Sequence, residues 1–218
     1  MRVYLLAFFF SIYISHGQVT PLDPRTKEYL IKKLDSIFLN DQKYRLELDL
    51  HGNDRQKVKE LWQTIHFNDS VNRLKVLPII DKYGWLSPAE VGDQASTTLF
   101  LVIQHADKGT QIKYLPIMRE AVKLGKASAS SLALLEDRVA LKQGKKQVYG
   151  SQVFSDPRTG ESYVFPLLDP DNVDMRRKEV GLESLESYLK NFDMTWDLQK
   201  YKADLPEIER MTLAAWDE

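Results

Sequence analysis

The chain has 218 residues, of which 43% are hydrophobic and 28% are charged, and these values are typical of a globular protein with one domain. Acidic residues number 31 and basic residues 30, so the net charge of −1 gives no general attraction to nucleic acid or to acidic membranes. Cysteine is absent, which excludes thiol catalysis, thiolate metal sites and redox chemistry through cysteine.

The first residues have the three parts of a secretory signal. Arg2 supplies an early positive charge, residues 3–14 are largely apolar, and small residues follow at Ser15 and Gly17. We expect residues 1–17 to be a signal peptide cleaved after Gly17; the alternative is an uncleaved N-terminal anchor. The apolar run is short for a membrane span, so no stable span is expected after cleavage. Together with the missing cysteines, this predicts an exported bacterial protein, periplasmic or secreted.

Helical patterns fill most of the mature chain. Apolar residues recur at three- and four-residue steps in residues 23–48 and again in residues 58–84. The sequence "SPAE" at residues 87–90 is a capping box with proline at the first helical position. From Thr97 to Ile103 there is no polar face, which predicts a helix that is buried on all sides. Two further helices are predicted within residues 110–125 and 128–144, since both segments begin near a hydroxyl residue and finish at glycine.

The pattern changes near residue 147. The segment "QVYGSQVFSDPRTGESYVFPL" alternates and carries aromatic residues, which predicts a β-hairpin that turns around Pro157 and Gly160. Short helices are predicted in "DNVDMRRKEVG" and "SLESYLKNF", and the tail after Asn191 is expected to pack loosely on the surface. The predicted fold is mainly α: a helical domain over residues 18–191 with one small β-hairpin near the C-terminal third, followed by a tail over residues 192–218.

Five motifs follow one another along the chain: "GWLSPAEVGDQAS", "LVIQHAD", "YLPIMREAV", "LALLEDRVALKQGKKQVYGSQ" and "VDMRRKEVGLESLESYL". In this order and spacing they resemble a bacterial family of unknown function, DUF6624, over roughly residues 83–189. Leu86 stands where the resemblance implies proline, and Ser151 stands where threonine is commoner. The resemblance implies the extent of the domain and carries no activity with it.

The predicted buried helix ends in polar residues, and its end is the first candidate site. Gln104 and His105 are neighbours around the helix end, while Asp107 is also suited to cap the next helix. A buried imidazole beside a carboxylate makes a serviceable general base. His105 is therefore the candidate base, with Asp107 or Asp137 as the carboxylate that orients it. The alternative is a core histidine that donates to a backbone carbonyl.

Further polar residues are candidates for binding a ligand. An arginine on a partly buried helix face either clamps two helices by an ion pair or binds an anion at the edge of a pocket. In a strand, the side chains of residues 147, 149 and 151 would share one face and read a polar ligand; the alternative is a hairpin tied down by its own side chains. The candidate ligand-binding residues are Gln104, Arg138, Gln147, Tyr149, Gln152 and Arg176.

Metal, cofactor and nucleic-acid motifs are weak or missing from the sequence. His51, His66 and His105 lie beyond helical reach of one another, and no HExxH pattern occurs, so no metal is predicted. The alternative is a metal held mostly by carboxylates together with His105. No serine-nucleophile motif, phosphate loop or dinucleotide fingerprint is present, and "KQGKK" is too little for nucleic-acid binding. No cofactor is predicted.

Three functions remain open from the sequence. The first is an exported domain whose polar pocket binds a small polar or anionic ligand or a peptide. The second is a hydrolase-like or lyase-like enzyme that uses His105 as general base, with Arg138 or Arg176 stabilising negative charge. The third is a structural or interaction protein without a ligand site. The enzyme requires His105 to face a cavity within hydrogen-bond reach of a carboxylate, whereas a sealed His105 bonded to backbone would contradict it.

Overall fold

The computed structural model describes residues 21–50, 54–156 and 159–216, so the predicted signal peptide lies outside the described residues. The helices within these ranges are α1 (Pro24–Leu50), α2 (Arg55–Tyr83), α3 (Pro88–Val91), α4 (Asp93–Gln104), α5 (Lys108–Lys123), α6 (Ala129–Lys142), α7 (Val173–Glu179), α8 (Leu185–Leu189) and α9 (Leu198–Trp216). Strands β1 (Val153–Ser155) and β2 (Ser162–Val164) pair antiparallel. The prediction of a mainly helical fold with one small hairpin is confirmed. Among the described helices, none combines the length and the apolar character needed to cross a membrane.

Several helices begin after a residue whose side chain caps the helix. The Ser87 side chain accepts a hydrogen bond from the Glu90 backbone N–H, and the Glu90 carboxylate accepts one from the Ser87 N–H, so the predicted capping box is confirmed. Asp54 caps α2 and Asp107 caps α5 in the same way, each accepting a backbone N–H three residues on. A cap of this kind contributes about 1 kcal/mol by satisfying an N–H that the helix leaves unpaired.

Helix α4 lies at the centre of the main core. It contacts α1, α2, α3, α5 and α6, and its residues Leu99 and Ile103 are completely buried. Each such side chain contributes about 1.5–3 kcal/mol through the apolar surface that it removes from water. The predicted burial on all sides holds for most of the helix but is wrong at Thr97, which is exposed. Most of helix α4 is thus buried as far as Gln104, and the next residue, His105, is partly exposed.

A second, smaller core joins the hairpin to the C-terminal helices. Val164 and Leu167 pack there with Leu185 of α8, and Tyr201 and Ile208 of α9 are buried in the same cluster. The hydroxyl oxygen of Tyr201 accepts a hydrogen bond of 2.7 Å from the Leu167 N–H. The expectation of a loosely packed tail is therefore wrong, because α9 supplies buried side chains to this core.

Candidate functional site

A polar contact between two helices of the bundle joins His105 to Asp41. His105 follows the last residue of α4, and its Nδ1 lies 3.0 Å from Oδ1 of Asp41 on α1. The Asp41 side chain is 1% exposed and that of His105 is 20% exposed. Because an ionised carboxylate can only accept, Nδ1 carries the proton, and in the neutral form of the ring Nε2 is the nitrogen that can accept one. This is the geometry of an imidazole oriented by a buried carboxylate.

Arg45 connects this pair to a second aspartate. Its Nη2 donates to both carboxylate oxygens of Asp69 at 2.9 Å, and its Nη1 lies 3.4 Å from Oδ1 of Asp41. Burial raises the pKa of the Asp41 carboxyl, but the hydrogen bond from His105 and the charges of His105 and Arg45 outweigh burial and lower it. Asp41 is therefore held as a carboxylate beneath the imidazole.

Three of these groups have the spacing of a metal site. One ligand atom each from Asp41, Asp69 and His105 lies within 4.8 Å of the others. Arg45 already contacts both carboxylates, and Asp41 also contacts Nδ1 of the imidazole, so an incoming cation would compete with the guanidinium. The arrangement is that of an ion-pair network in which one arginine bridges two aspartates.

His105 lies on the wall of an open cleft of about 350 Å³. The side chains that line this cleft and bear on its chemistry are His66, Asp69, Arg73, His105, Asp107 and Lys142. Arg73 forms an ion pair with Asp107, whose carboxylate also accepts hydrogen bonds from the backbone and hydroxyl of Thr110. Asp107 thus belongs to the cleft, but its described contacts are with Arg73 and Thr110. The expectation that it orients His105 is corrected by the contact with Asp41.

Asp137 has a different position and different contacts. It is completely buried, and its two oxygens accept hydrogen bonds from the backbone N–H groups of Val148, Tyr149 and Ser151 at 2.6 to 3.2 Å. Burial raises the pKa of its carboxyl, while the three N–H donors oppose that rise. Asp137 holds the loop before the hairpin, so the expectation that it orients His105 is also corrected.

The other candidates near the hairpin bond to their own surroundings. Residues 147–152 form a loop instead of the predicted strand, with positive φ at Gly150 and a single bridge from Gln147 to Leu167. The side chain of Gln147 donates to the carbonyls of Gln152 and Phe165 and accepts from the Gln152 N–H. This pattern matches the alternative of a hairpin tied down by its own side chains.

Tyr149 and Arg176 also lie away from the wall of the cleft. Burial raises the pKa of Tyr149, and the nearby charge of Glu136 raises it further. Arg176 donates to the backbone carbonyls of Val148, Leu168 and Asp169. The candidates Gln147, Tyr149, Gln152 and Arg176 are therefore brought to one loop region, and none of them is among the described residues that line the His105 cleft.

The remaining two candidates, Gln104 and Arg138, are each next to a residue of the His105 cleft or one helical turn from one. Gln104 is buried beside His105, its backbone carbonyl accepts a 2.8 Å hydrogen bond from Gln111, and its Oε1 has no partner among the described residues. Arg138 lies on α6 one turn before Lys142, which lines the cleft. The sequence analysis thus named His105 and the neighbouring Gln104 and Asp107 as candidates. It missed the charged network on α1 and α2 that contains the partner of His105, which is formed by Asp41, Arg45 and Asp69.

Asp41 and Asp69, which the sequence analysis missed, can be recognised from the spacing of apolar residues on α1 and α2. On α1 the buried positions Leu30, Leu34 and Ile37 lead by a step of four to Asp41, which is also buried. On α2 the same stripe reaches Asp69 four residues after the buried Ile65. A carboxylate inside an apolar stripe needs a partner, because a buried unpaired charge is costly. Such interruptions of a helical stripe would have drawn attention to Asp41 and Asp69.

Comparison with known proteins places the chain in a family. The profile described as "Family of unknown function (DUF6624)" matches residues 29–201, well over half of the chain. The chain belongs to this family, as its motifs indicated. No curated protein and no solved structure gives a significant match to it.

Proposed function

We propose that this protein is an enzyme, hydrolase-like or lyase-like, in which His105 acts as general base and Asp41 orients it. The observation that carries the proposal is the 3.0 Å contact between His105 Nδ1 and a carboxylate that is 1% exposed, on an imidazole that itself lines a cleft. It meets the geometric condition that the catalytic hypothesis sets.

The chemistry follows from the two ring nitrogens. With its Nδ1 proton bonded to Asp41, the imidazole accepts a proton at Nε2 from water or from a substrate in the cleft, and the resulting imidazolium is stabilised by the carboxylate. Arg73 and Lys142 line the same cleft and favour negative charge that develops on the substrate. The positioning of an imidazole in this way contributes about 10²–10⁴-fold to a rate.

Binding without turnover is the alternative for the same cleft. Arg73 and Lys142 on its wall favour a polar or anionic ligand whether or not a reaction follows. In this alternative Asp41 serves only to hold His105 in place. The two functions differ in whether a reaction depends on the His105 imidazole.

The test combines an activity screen with a measurement of the tautomer. Chromogenic carboxylic, phosphate and sulfate esters and elimination substrates would be offered to the full chain and to its variants His105→Ala, Asp41→Asn and Asp35→Asn. We expect a turnover that falls by about 10²-fold or more in the first two variants and is retained in the third, because Asp35 lies on the same helix as Asp41 but bonds Gln94 at the surface and does not line the cleft.

The tautomer is read from the ¹⁵N shifts of the His105 ring in its neutral form. The proposal expects protonated Nδ1 in the wild type and a mixture of tautomers in Asp41→Ala. A proton on Nε2 in the neutral wild-type ring, or turnover that His105→Ala leaves intact, would contradict it.

We also propose that the protein is exported, since residues 1–17 have the composition of a cleavable signal. Cell fractionation and N-terminal sequencing test this, with a mature chain beginning at Gln18 as the expected result. An intact Met1 in the membrane fraction would instead indicate an uncleaved anchor.

A further inference from the structure

Two basic residues on one face of α6 stand without an acidic partner. Arg138 and Lys142 are four residues apart, so their side chains project from the same side of the helix. Within the described part of the chain, no hydrogen bond or ion pair engages either of them, and Nε of Arg138 is buried without a partner. Lys142 reaches the wall of the His105 cleft. Lys142 on the wall of the cleft and Arg138 one turn before it are therefore two positive charges without an acidic partner among the described residues.

More positive charge surrounds this pair. Burial lowers the pKa of Arg138, the neighbouring Tyr188 opposes the shift, and the charge of Arg45 lowers it further. The pKa of Lys142 is lowered by burial first and then by the charges of Arg138 and Lys108. Arg45 and Lys108 are thus close enough to add to the positive potential at the α6 pair.

The acidic groups of the cleft are engaged elsewhere. Asp69 receives two hydrogen bonds from Arg45, Asp41 is bonded to His105, and Asp107 pairs with Arg73. None of these carboxylates has a described contact with Arg138 or Lys142. Because each of these carboxylates already has another partner, none of them is positioned to neutralise the α6 pair.

A cluster of this kind is unfavourable in the empty protein. A buried guanidinium N–H without an acceptor, such as Nε of half-buried Arg138, loses hydration and gains no hydrogen bond in return, and like charges that lie close together repel one another. Methionine or leucine at position 138 would serve the packing of α6 better. The cluster is accounted for if an anion completes it, since the planar fork of arginine and the ammonium of lysine are the usual ligands of phosphate oxygens.

We propose that Arg138 and Lys142 form a subsite that binds a phosphate group of the substrate, next to the base His105. The inference rests on the proposed function, because it names the substrate class of the same cleft. A phosphate monoester carries a charge of about −1.5 to −2 at neutral pH, which matches two uncompensated cations better than a single carboxylate does.

The test is calorimetric titration of the full chain with inorganic phosphate in a buffer free of other oxyanions, at constant ionic strength balanced with chloride. The proteins compared are the wild type, Arg138→Met, Lys142→Met, the control Lys145→Met and His105→Ala. Lys145 is the matched control because it is exposed just beyond the end of α6 and pairs only with Gln143 among the described contacts.

We expect saturable phosphate binding that Arg138→Met and Lys142→Met each weaken by about ten-fold or more, since each loses hydrogen bonds to a charged group. Lys145→Met should stay within about two-fold of the wild type, as an exposed lysine contributes little. Circular dichroism confirms folding, and Lys142→Met keeps the test valid if Arg138→Met does not fold. Acetate, titrated in parallel, should bind more weakly than phosphate.

Three results would overturn the inference: no saturable binding by the wild type, binding that both α6 variants leave unchanged, or acetate binding as tight as phosphate binding. His105→Ala separates this inference from the proposed function. Phosphate binding that survives in this variant supports the subsite even if the imidazole proves to have no part in turnover. If turnover depends on His105 but the wild type does not bind phosphate, the proposal of His105 as base is retained and the proposal of the phosphate subsite is rejected.

Discussion

The contact between His105 and Asp41 joins the C-terminal end of α4 to the middle of α1 through a single hydrogen bond of 3.0 Å. It links residues 64 positions apart, and Arg45, one turn further along α1, extends it to Asp69 on α2. Three helices therefore meet at one charged network, and the cleft opens beside it. Stability and the proposed chemistry depend on the same carboxylate, which makes Asp41 the residue to change first.

Replacement of Asp41 by alanine should destabilise the fold. It leaves the His105 imidazole and the Arg45 guanidinium without their shared acceptor. We expect the free energy of unfolding to fall by about 2–4 kcal/mol. This is less than the largest losses known for buried ion pairs, because the side chains of both partners are 20% exposed. Urea unfolding measures the change. Asp35→Ala is the matched control on the same helix, since Asp35 bonds Gln94 at the surface and should cost less than about 1 kcal/mol. Equal losses in the two variants would contradict the network.

Stability should fall in acid partly through Asp41. Its carboxyl pKa is lowered in the folded protein, because the hydrogen bond from His105 and the charges of His105 and Arg45 outweigh burial, with Gln42 adding a further hydrogen bond. A lowered folded pKa means that the stabilisation is present above the unfolded value of about 3.9 and is lost as the pH falls through the folded value. Urea midpoints between about pH 5 and pH 2 should therefore fall more steeply in the wild type than in Asp41→Asn. Parallel curves would exclude this contribution.

Asp137→Asn should loosen the loop before the hairpin and leave the His105 tautomer unchanged. An amide offers one acceptor oxygen where the carboxylate accepts from Val148, Tyr149 and Ser151, so we expect a cost of about 2–4 kcal/mol. Backbone amides at these three positions should exchange faster with solvent. Glu136→Gln, at a neighbouring position that bonds Arg119 near the surface, is the control. A changed tautomer of His105 in Asp137→Asn would restore the partner first expected from the sequence.

Arg138→Met should stabilise the protein in the absence of phosphate. Removal of a buried Nε that lacks an acceptor, together with its repulsion from Arg45 and Lys142, is expected to raise the free energy of unfolding by about 1 kcal/mol. Thermal unfolding with and without phosphate measures it, and phosphate should stabilise the wild type more than the variant. Arg119→Met is a control, since it breaks a surface pair with Glu136 and should not stabilise. A less stable Arg138→Met, even without phosphate, would indicate that Arg138 has a structural role.

The hairpin region shows which structural features the local sequence pattern predicts and which it does not. Alternation and turn residues predicted two strands around residues 157–160, and β1 and β2 form on either side of that turn. The same alternation wrongly extended the strand back through Gln147, because backbone N–H groups there bond to the buried Asp137 instead of to a neighbouring strand. An acceptor on the preceding helix α6 overrides the local preference, and the pattern of the loop itself does not show it.

The sequence by itself determined the helical class, the helix boundaries near Gly84, Ser87 and Asp107, the buried course of α4 and the position of His105 at its end. These depend on side chains within one or two turns of one another, where caps, glycines and apolar spacing act directly. Only the tertiary structure decided that the carboxylate beneath His105 is Asp41 and that Nε of Arg138 is buried without a partner among the described residues. Both depend on how α1, α4 and α6 pack, and hydrogen bonds of about 3 Å between helices are set by that packing and not by any spacing along the chain.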